Sequence, residues 1–361
     1  MKKFTVLMLV MSLLYCNNLM AQEAAVTVQI TLGVKNQELK AIMESNASIL
    51  LSAFNKAVKE NKKPKYPKEI IEEEVGRKIE ALWKSSQMLC TANDVRGVCR
   101  TTSSGEYQIR RIPMQLLAAD SAHKDEEISL SFNNIGKISD IGISIQISPE
   151  MLAVVGEVDE EEAGAASEVA EETLNGDKTI QSDDFTGTAT PEYSAEDVVN
   201  YNKILDFIEK LRTAYNCKDL EYLENVYSDN ALIINAVKKT MTTRPGNMEQ
   251  NIILTDYGYD YQVKTKRQYL DKLTQVFKKN RFVNITFDSI RITPHPGFSK
   301  VYSVDLYQKW NASDYSDKGF LFLLIDCRKE YEMQIFVRAW APEQIFNFNS
   351  FNQIKLREII N

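Results

Sequence analysis

Four side chains at two-residue spacing carry the clearest chemistry in this sequence. Gln308 and Trp310 lie two apart in "KVYSVDLYQKW", and Arg338 and Trp340 lie two apart in "MQIFVRAW". Residues two apart in an extended chain point to the same side. If these two runs pair in the obvious register, all four share one sheet face. An arginine between indole walls can grip an anionic group in a pocket. The same pattern also suits a core or a dimer interface, with Arg338 salt-bridged to Asp326 or Asp305. A tyrosine-rich stretch, "TDYGYDYQ" at 255–262, reads either as a plain loop or as a lid over a ligand.

Other reactive groups are sparse. The two histidines, His123 and His295, have no Ser or Cys partner in a pattern that would build a nucleophile triad. There is no CxxC, so a zinc site of the usual spacing is excluded, and no metal or cofactor is expected. Cys90 and Cys99 flank "TANDVRGV", a short segment with turn-forming Asn93, Asp94 and Gly97. In an oxidising compartment this spacing predicts a disulfide between them. Cys217 and Cys327 form a weaker pair.

The compartment is legible at the N-terminus. "MKKFTVLMLVMSLLYCNNLMA" has two lysines, an apolar run from Phe4 to Tyr15 and a small residue at Ala21, the order of a secretory signal peptide. Export to the periplasm or cell exterior is expected, with the mature chain starting at Gln22. Lipidation at Cys16 is disfavoured by bulky Tyr15 before it. No later run is apolar for long enough to form a transmembrane segment. Residues 156–197 carry fourteen acidic side chains and one lysine, and the net charge of −7 leaves only about +6 spread over the rest. No clustered basic, aromatic-interleaved face exists, which excludes nucleic acid as a partner.

Periodicity then sets the elements that must position these residues. Helical spacing runs through 36–62 and 67–88, and period-two alternation follows, with a hairpin turning at "NNIG". Residues 22–150 thus read as an N-terminal α+β domain of two helices and an antiparallel sheet. Residues 151–195 are acidic and poor in large apolar side chains, which predicts a flexible linker. Beyond it, Ile204 to Tyr215 forms one helical face, and Asp219 is an N-cap for a second helix. Thr265 with Gln268 is a capping box for a third. The order over 196–342 is ααβαββββ, and 343–361 is a C-terminal tail.

That order, with "YNCKDLEYLENVYSDNALI" across the first helix pair, resembles the nuclear transport factor 2-like superfamily. The resemblance implies a cone-shaped α+β barrel, a bent antiparallel sheet around three helices. The whole chain also resembles exported Bacteroidetes proteins of unassigned function, through "CTANDVRGVCRTTSSGEYQIRRIPM" and the text at 319–340. Isomerase-like members of the superfamily need a carboxylate base near the end of the first strand and a tyrosine on the first helix. Alignment through "NCKDLEYL" and "SDNALIIN" puts these positions on Asn235 and Leu211. An amide cannot accept a proton at neutral pH, and a leucine donates no hydrogen bond. The candidate pocket is Asn235, Leu211, Tyr215, Gln308, Trp310, Arg338 and Trp340, with no catalytic residue assigned. The resulting expectation is an exported, non-catalytic binding or assembly module for a small molecule or envelope protein. A possible homodimer would form through the C-terminal sheet. An isomerase- or dehydratase-type enzyme using other pocket residues and an envelope scaffold are the alternatives.

Overall fold

The computed structural model of the chain describes residues 25–102, 105–117, 124–145, 151, 195–238, 258–329, 332–351, 356 and 358–359. The leader and nearly all of the expected linker lie outside the described residues. The chain divides into two compact units, Met1–Ser144 and Ile145–Asn361.

In the first unit, β1 (Thr27–Leu32) leads into helix α1 (Gln37–Glu60), a short 3-10 turn at Lys68–Ile70 and helix α2 (Glu73–Ser85). Strands β2 (Gln87–Cys90), β3 (Asp94–Thr101), β4 (Tyr107–Leu117), β5 (Lys124–Phe132) and β6 (Ile138–Ile143) follow. Helix α1 starts where the Asn36 side chain accepts hydrogen bonds from the Glu38 and Leu39 amides, and it ends at Asn61, which adopts a left-handed conformation. Its buried face of Met43, Ala47, Leu50, Leu51, Phe54 and Ala57 keeps the spacing read from the sequence. Each fully buried large side chain there contributes about 1.5–3 kcal/mol.

The sheet runs β1-β3-β4-β5-β6, with β2 also pairing to β4. It is mixed rather than antiparallel, because β1 pairs parallel with β3. The two helices supply the long crossover that a parallel pair requires. As the edge strand, β1 turns the amides of Val26, Val28 and Ile30 away from β3. Helix α1 satisfies them with side chains one turn apart: Ser52 Oγ at 3.0 Å, Ser48 Oγ at 2.9 Å and Glu44 Oε1 at 2.7 Å. The helix thereby takes the place of a neighbouring strand.

The expected Cys90–Cys99 disulfide is not formed; both residues are buried thiols, and neither Cys217 nor Cys327 is disulfide-bonded. The reason is register. Strands β2 and β3 pair end to end along the same edge of β4, Cys90 opposite Met114 and Cys99 opposite Ile109. Five residues along a strand separate the two by roughly 15 Å. A disulfide tolerates at most about 7 Å between Cα atoms. Burial also pushes the Cys99 thiol up to about 11, which suppresses the reactive thiolate.

The second unit holds α3 (Ala195–Cys217), α4 (Leu220–Val226), β7 (Tyr227–Lys238), β8 (Tyr259–Lys264), α5 (Lys266–Lys279), β9 (Val283–Pro294), β10 (Val301–Ala312), β11 (Ser316–Asp326) and β12 (Gln334–Ala341). The Asp219 cap and the Thr265–Gln268 capping box are both present. Part of the tyrosine-rich stretch is strand β8 rather than loop; residues 255–257 lie outside the described residues. The six-stranded sheet is ordered β8-β7-β12-β11-β10-β9. It is antiparallel except that β12 and β7 run parallel, which corrects the all-antiparallel expectation.

The three helices pack against one face of this sheet, burying Ile204, Ile208, Leu211, Leu223, Leu273 and Phe277 against Ile233, Phe287, Val304 and Leu323. Edge strand β9 is guarded by α3. Asn216 Oδ1 accepts from the Ile285 amide at 2.7 Å, and Arg212 Nε donates to the Ile285 carbonyl at 2.9 Å. The "NCKDL" signature thus has a division of labour: Asn216 caps the sheet edge, Lys218 turns the chain with a positive φ, and Asp219 starts α4.

The opposite sheet face is covered by the chain's own C-terminal segment. Phe346, Phe351 and Leu356 are buried with Leu232, Ile234, Phe322, Leu324 and Ala339. The surface expected to receive a second copy is therefore occupied, in part, from within the same chain. His295 anchors this cover, its ring edge-on to Phe298 and Phe348 at 4.9 and 4.8 Å. Its Nδ1 accepts from the Gly297 amide, and burial lowers its pKa. A His whose folded pKa lies below the unfolded value adds stability above about pH 6.5 and loses it as pH falls through the folded pKa. Acid should accordingly loosen the segment. Melting temperature should drop more steeply below pH 6.5 in the wild type than in His295→Leu, and parallel curves would refute the assignment.

Candidate functional site

The site is built on the helix-facing side of the second sheet. Arg338 on β12 stands opposite Ile233 of β7, and Ile233 stands opposite Lys264 of β8, so both cations lie in one row across the sheet. Two pairs further along, and so on the same face, Trp340 is opposite Asn235. On β10, Gln308 pairs with Gly319 and Trp310 with Asp317 of β11. Gly319 is required here: a Cβ would meet the Trp340 ring at 2.8 Å and the Ala341 carbonyl oxygen at 2.4 Å. The indole of Trp340 thus lies across β11 in the space a side chain would fill.

Arg338 is the centre of the cluster, 6% exposed. Its Nη1 donates to Asn235 Oδ1 at 3.3 Å and its Nη2 to Gln308 Oε1 at 3.4 Å, both long contacts to neutral amides. The ring of Tyr269, from α5, lies 5.2 Å from the guanidinium carbon. Tyr215 of α3 shares hydrogen bonds with Tyr227 at 2.7 Å and with Tyr269 at 2.6 Å, and its ring meets Trp310 edge-on at 5.9 Å. Burial drives the Tyr215 and Tyr227 hydroxyls well above their ordinary pKa, so these two phenols are neutral dipoles at physiological pH. Burial opposes the charge on Arg338, yet the phenol oxygens around it hold its pKa above the usual value. The guanidinium stays protonated.

The salt bridges expected for Arg338 in the core reading are absent. Asp326 is held by Arg328 at 2.9 Å and Asp305 by Arg291 at 3.5 Å. Among the described residues, no carboxylate lies within ion-pairing distance of Arg338. Asp317 faces the same interior, half-buried, with Oδ2 accepting from Tyr315 at 2.6 Å. Burial raises its pKa, and Arg338 partly offsets the rise. Lys264 is lowered by burial and then by the like charges of Lys272 and Arg338. The indole N–H groups of Trp310 and Trp340 are buried with no hydrogen-bond partner among the described residues.

Of the residues singled out from sequence, Asn235, Gln308, Arg338 and Trp340 come together, with Trp310 and Tyr215 adjoining through their ring contact. Leu211 instead lies in the apolar core between helix and sheet. Tyr227, Tyr269, Lys264 and Asp317 were not anticipated. Tyr227 opens β7 and Tyr269 lies on α5, and both are buried among apolar residues, where a tyrosine reads as core. Among the described residues no group of three His, Cys, Asp or Glu could hold a metal, and no helix is long and apolar enough to cross a membrane.

No protein-family model matches the chain, and no curated protein matches it. Several solved structures do, at low identity. One is Bd1075 of Bdellovibrio bacteriovorus, with 15% identity and a TM-score of 0.30, covering 43% of this chain and 44% of that one. This chain therefore spans less than half the length of that protein. Another is an NTF-2 like protein of unknown function from Shewanella oneidensis MR-1, with 12% identity and a TM-score of 0.27, covering 39% of this chain and 97% of that one. A third is ActVI-ORFA from Streptomyces coelicolor, with 9% identity and a TM-score of 0.27, covering 39% and 95%.

Proposed function

We propose that the second unit is a non-catalytic binding module for a small molecule, carried by an exported chain. The export half of this reading rests on the leader-like N-terminus. The binding half rests on one observation: among the described residues a buried guanidinium meets amides and phenols with no ion-paired carboxylate, while two indole N–H groups on the same sheet face are buried without partners. A buried charge without a partner is costly unless something else pairs with it. The position that would carry a base is Asn235, whose amide is engaged by Arg338.

Ligand screening by tryptophan fluorescence and protein-observed NMR on the full chain tests the reading. Binders should perturb Trp310 and Trp340 and be recovered chemically unchanged. Asp317 supports a second, enzymatic reading, because a half-buried carboxyl with a raised pKa is suited to proton transfer. Conversion of a bound probe that is lost in Asp317→Asn would establish that reading and overturn the first.

A further inference from the structure

We propose that the ligand is a small organic carboxylate with a flat or apolar body, its carboxylate received by Arg338 and its body lying against Trp340 and Trp310. This rests on the binding reading above and names its chemistry.

Polarity comes first. The groups converging on the cluster are dominated by donors: the Arg338 guanidinium, the Lys264 ammonium in the same row of the sheet, and the indole N–H groups of Trp310 and Trp340. The guanidinium has no acceptor and repels a cation, and the indole N–H groups can only donate. The acceptors that touch Arg338 are the amide oxygens Asn235 Oδ1 and Gln308 Oε1 and the Tyr215 hydroxyl; amides can turn to present N–H instead, and a hydroxyl can rotate to donate. At 3.3 and 3.4 Å the amide contacts are long, whereas a carboxylate takes a guanidinium through two parallel bonds of about 2.7–2.9 Å. Such a ligand would displace weak bonds with strong ones.

Geometry then separates a carboxylate from other anions. A planar fork matches a planar carboxylate, and Gly319 lets the Trp340 ring lie flat beside it. Phosphate, which an arginine fork also grips, is commonly held by several backbone N–H groups or a helix N-terminus as well. The Arg338 cluster is instead made of side chains from the middle of strands β7, β10 and β12 and from helices α3 and α5. Asp317 is an acidic group facing this interior: its Oδ2 accepts from Tyr315, its Oδ1 is a buried acceptor with no hydrogen-bond partner among the described residues, and it makes no direct ion pair with Arg338.

The test uses the full chain titrated calorimetrically with acetate, benzoate, phenylacetate and cyclohexanecarboxylate, with the matching primary amides, and with inorganic phosphate. At least one carboxylate should bind roughly tenfold to a hundredfold more tightly than its amide, the range for a hydrogen bond to a charged group. Asn235→Asp places a carboxylate where the amide oxygen now lies, 3.3 Å from Arg338 Nη1. This variant should stay folded and lose carboxylate binding by a similar factor. Arg338→Gln should do the same, and Asn235→Asp decides the matter if that variant does not fold. Equal binding of acids and amides, insensitive to Asn235→Asp, would overturn the carboxylate while leaving the binding module intact. Phosphate binding tighter than every carboxylate and abolished by Asn235→Asp would also overturn it. Failure of every acid and amide to bind would remove both readings.

Discussion

Alanine at Gly33 is expected to unfold the N-terminal unit. Gly33 follows β1 with φ +93°, and a Cβ there would sit 1.7 Å from the Cys99 carbonyl oxygen and 2.7 Å from its carbon. The obstacle is backbone in the middle of β3, which cannot swing aside as a side chain could. Backbone strain alone costs about 1–3 kcal/mol. Relief of the clash must also pull β1 off β3, undoing the parallel pairing from Thr27 to Leu32. The sum should exceed about 3 kcal/mol, a large part of the 5–15 kcal/mol available to a typical domain. Gly105 is the control: it too has a positive φ, but nothing lies within 4 Å of its would-be Cβ. Gly105→Ala should cost only the strain. Urea titrations followed by circular dichroism compare the two, and equal midpoints would contradict the steric argument.

The second large effect is expected from stripping helix α1 of its bonds to β1. In Glu44→Ala/Ser48→Ala/Ser52→Ala, three inward-turned amides lose their acceptors. Each lost partner costs about 1–3 kcal/mol when the donor stays shielded from water. Where water or another chain can enter instead, the freed edge becomes a template for intermolecular strand pairing. The variant should therefore be destabilised and should scatter light at concentrations where the wild type is clear. Amide exchange at Val26, Val28 and Ile30 is the direct readout. These three should exchange much faster, while Gln29 and Thr31 on the β3 side change less. Uniform acceleration would mean global loosening rather than loss of the edge cover.

Side-chain periodicity made much of the fold legible. The buried face of α1, the β5–β6 hairpin and the caps at Asp219 and Thr265 all follow from local rules that act within a few residues. The shared face of Gln308, Trp310, Arg338 and Trp340 follows from strand parity alone. What could not be read depends on partners distant in sequence. "TVQITL" is a short strand whose direction is set by β3, more than sixty residues away. Cys90 and Cys99 are close in sequence but kept apart by their positions along β4, a register that no local pattern encodes. The tyrosine triad joins α3, the start of β7 and α5, and a phenol on a helix face gives no sign of which other phenols it will meet. For Arg338, the sequence favoured a core ion pair over an anion site. In three dimensions Arg328 holds Asp326 and Arg291 holds Asp305, which takes both carboxylates away from that ion pair.

The C-terminal cover on the second sheet has a consequence for assembly. Phe346, Phe351 and Leu356 are tethered to the surface they occupy, so they compete for it at the effective concentration of a short linker, on the order of millimolar. A second molecule must outbid that tether before it can use the same face, whatever its intrinsic affinity. Any self-association through this sheet would be coupled to release of the segment: whatever loosens one would promote the other, with the tether length setting a concentration threshold.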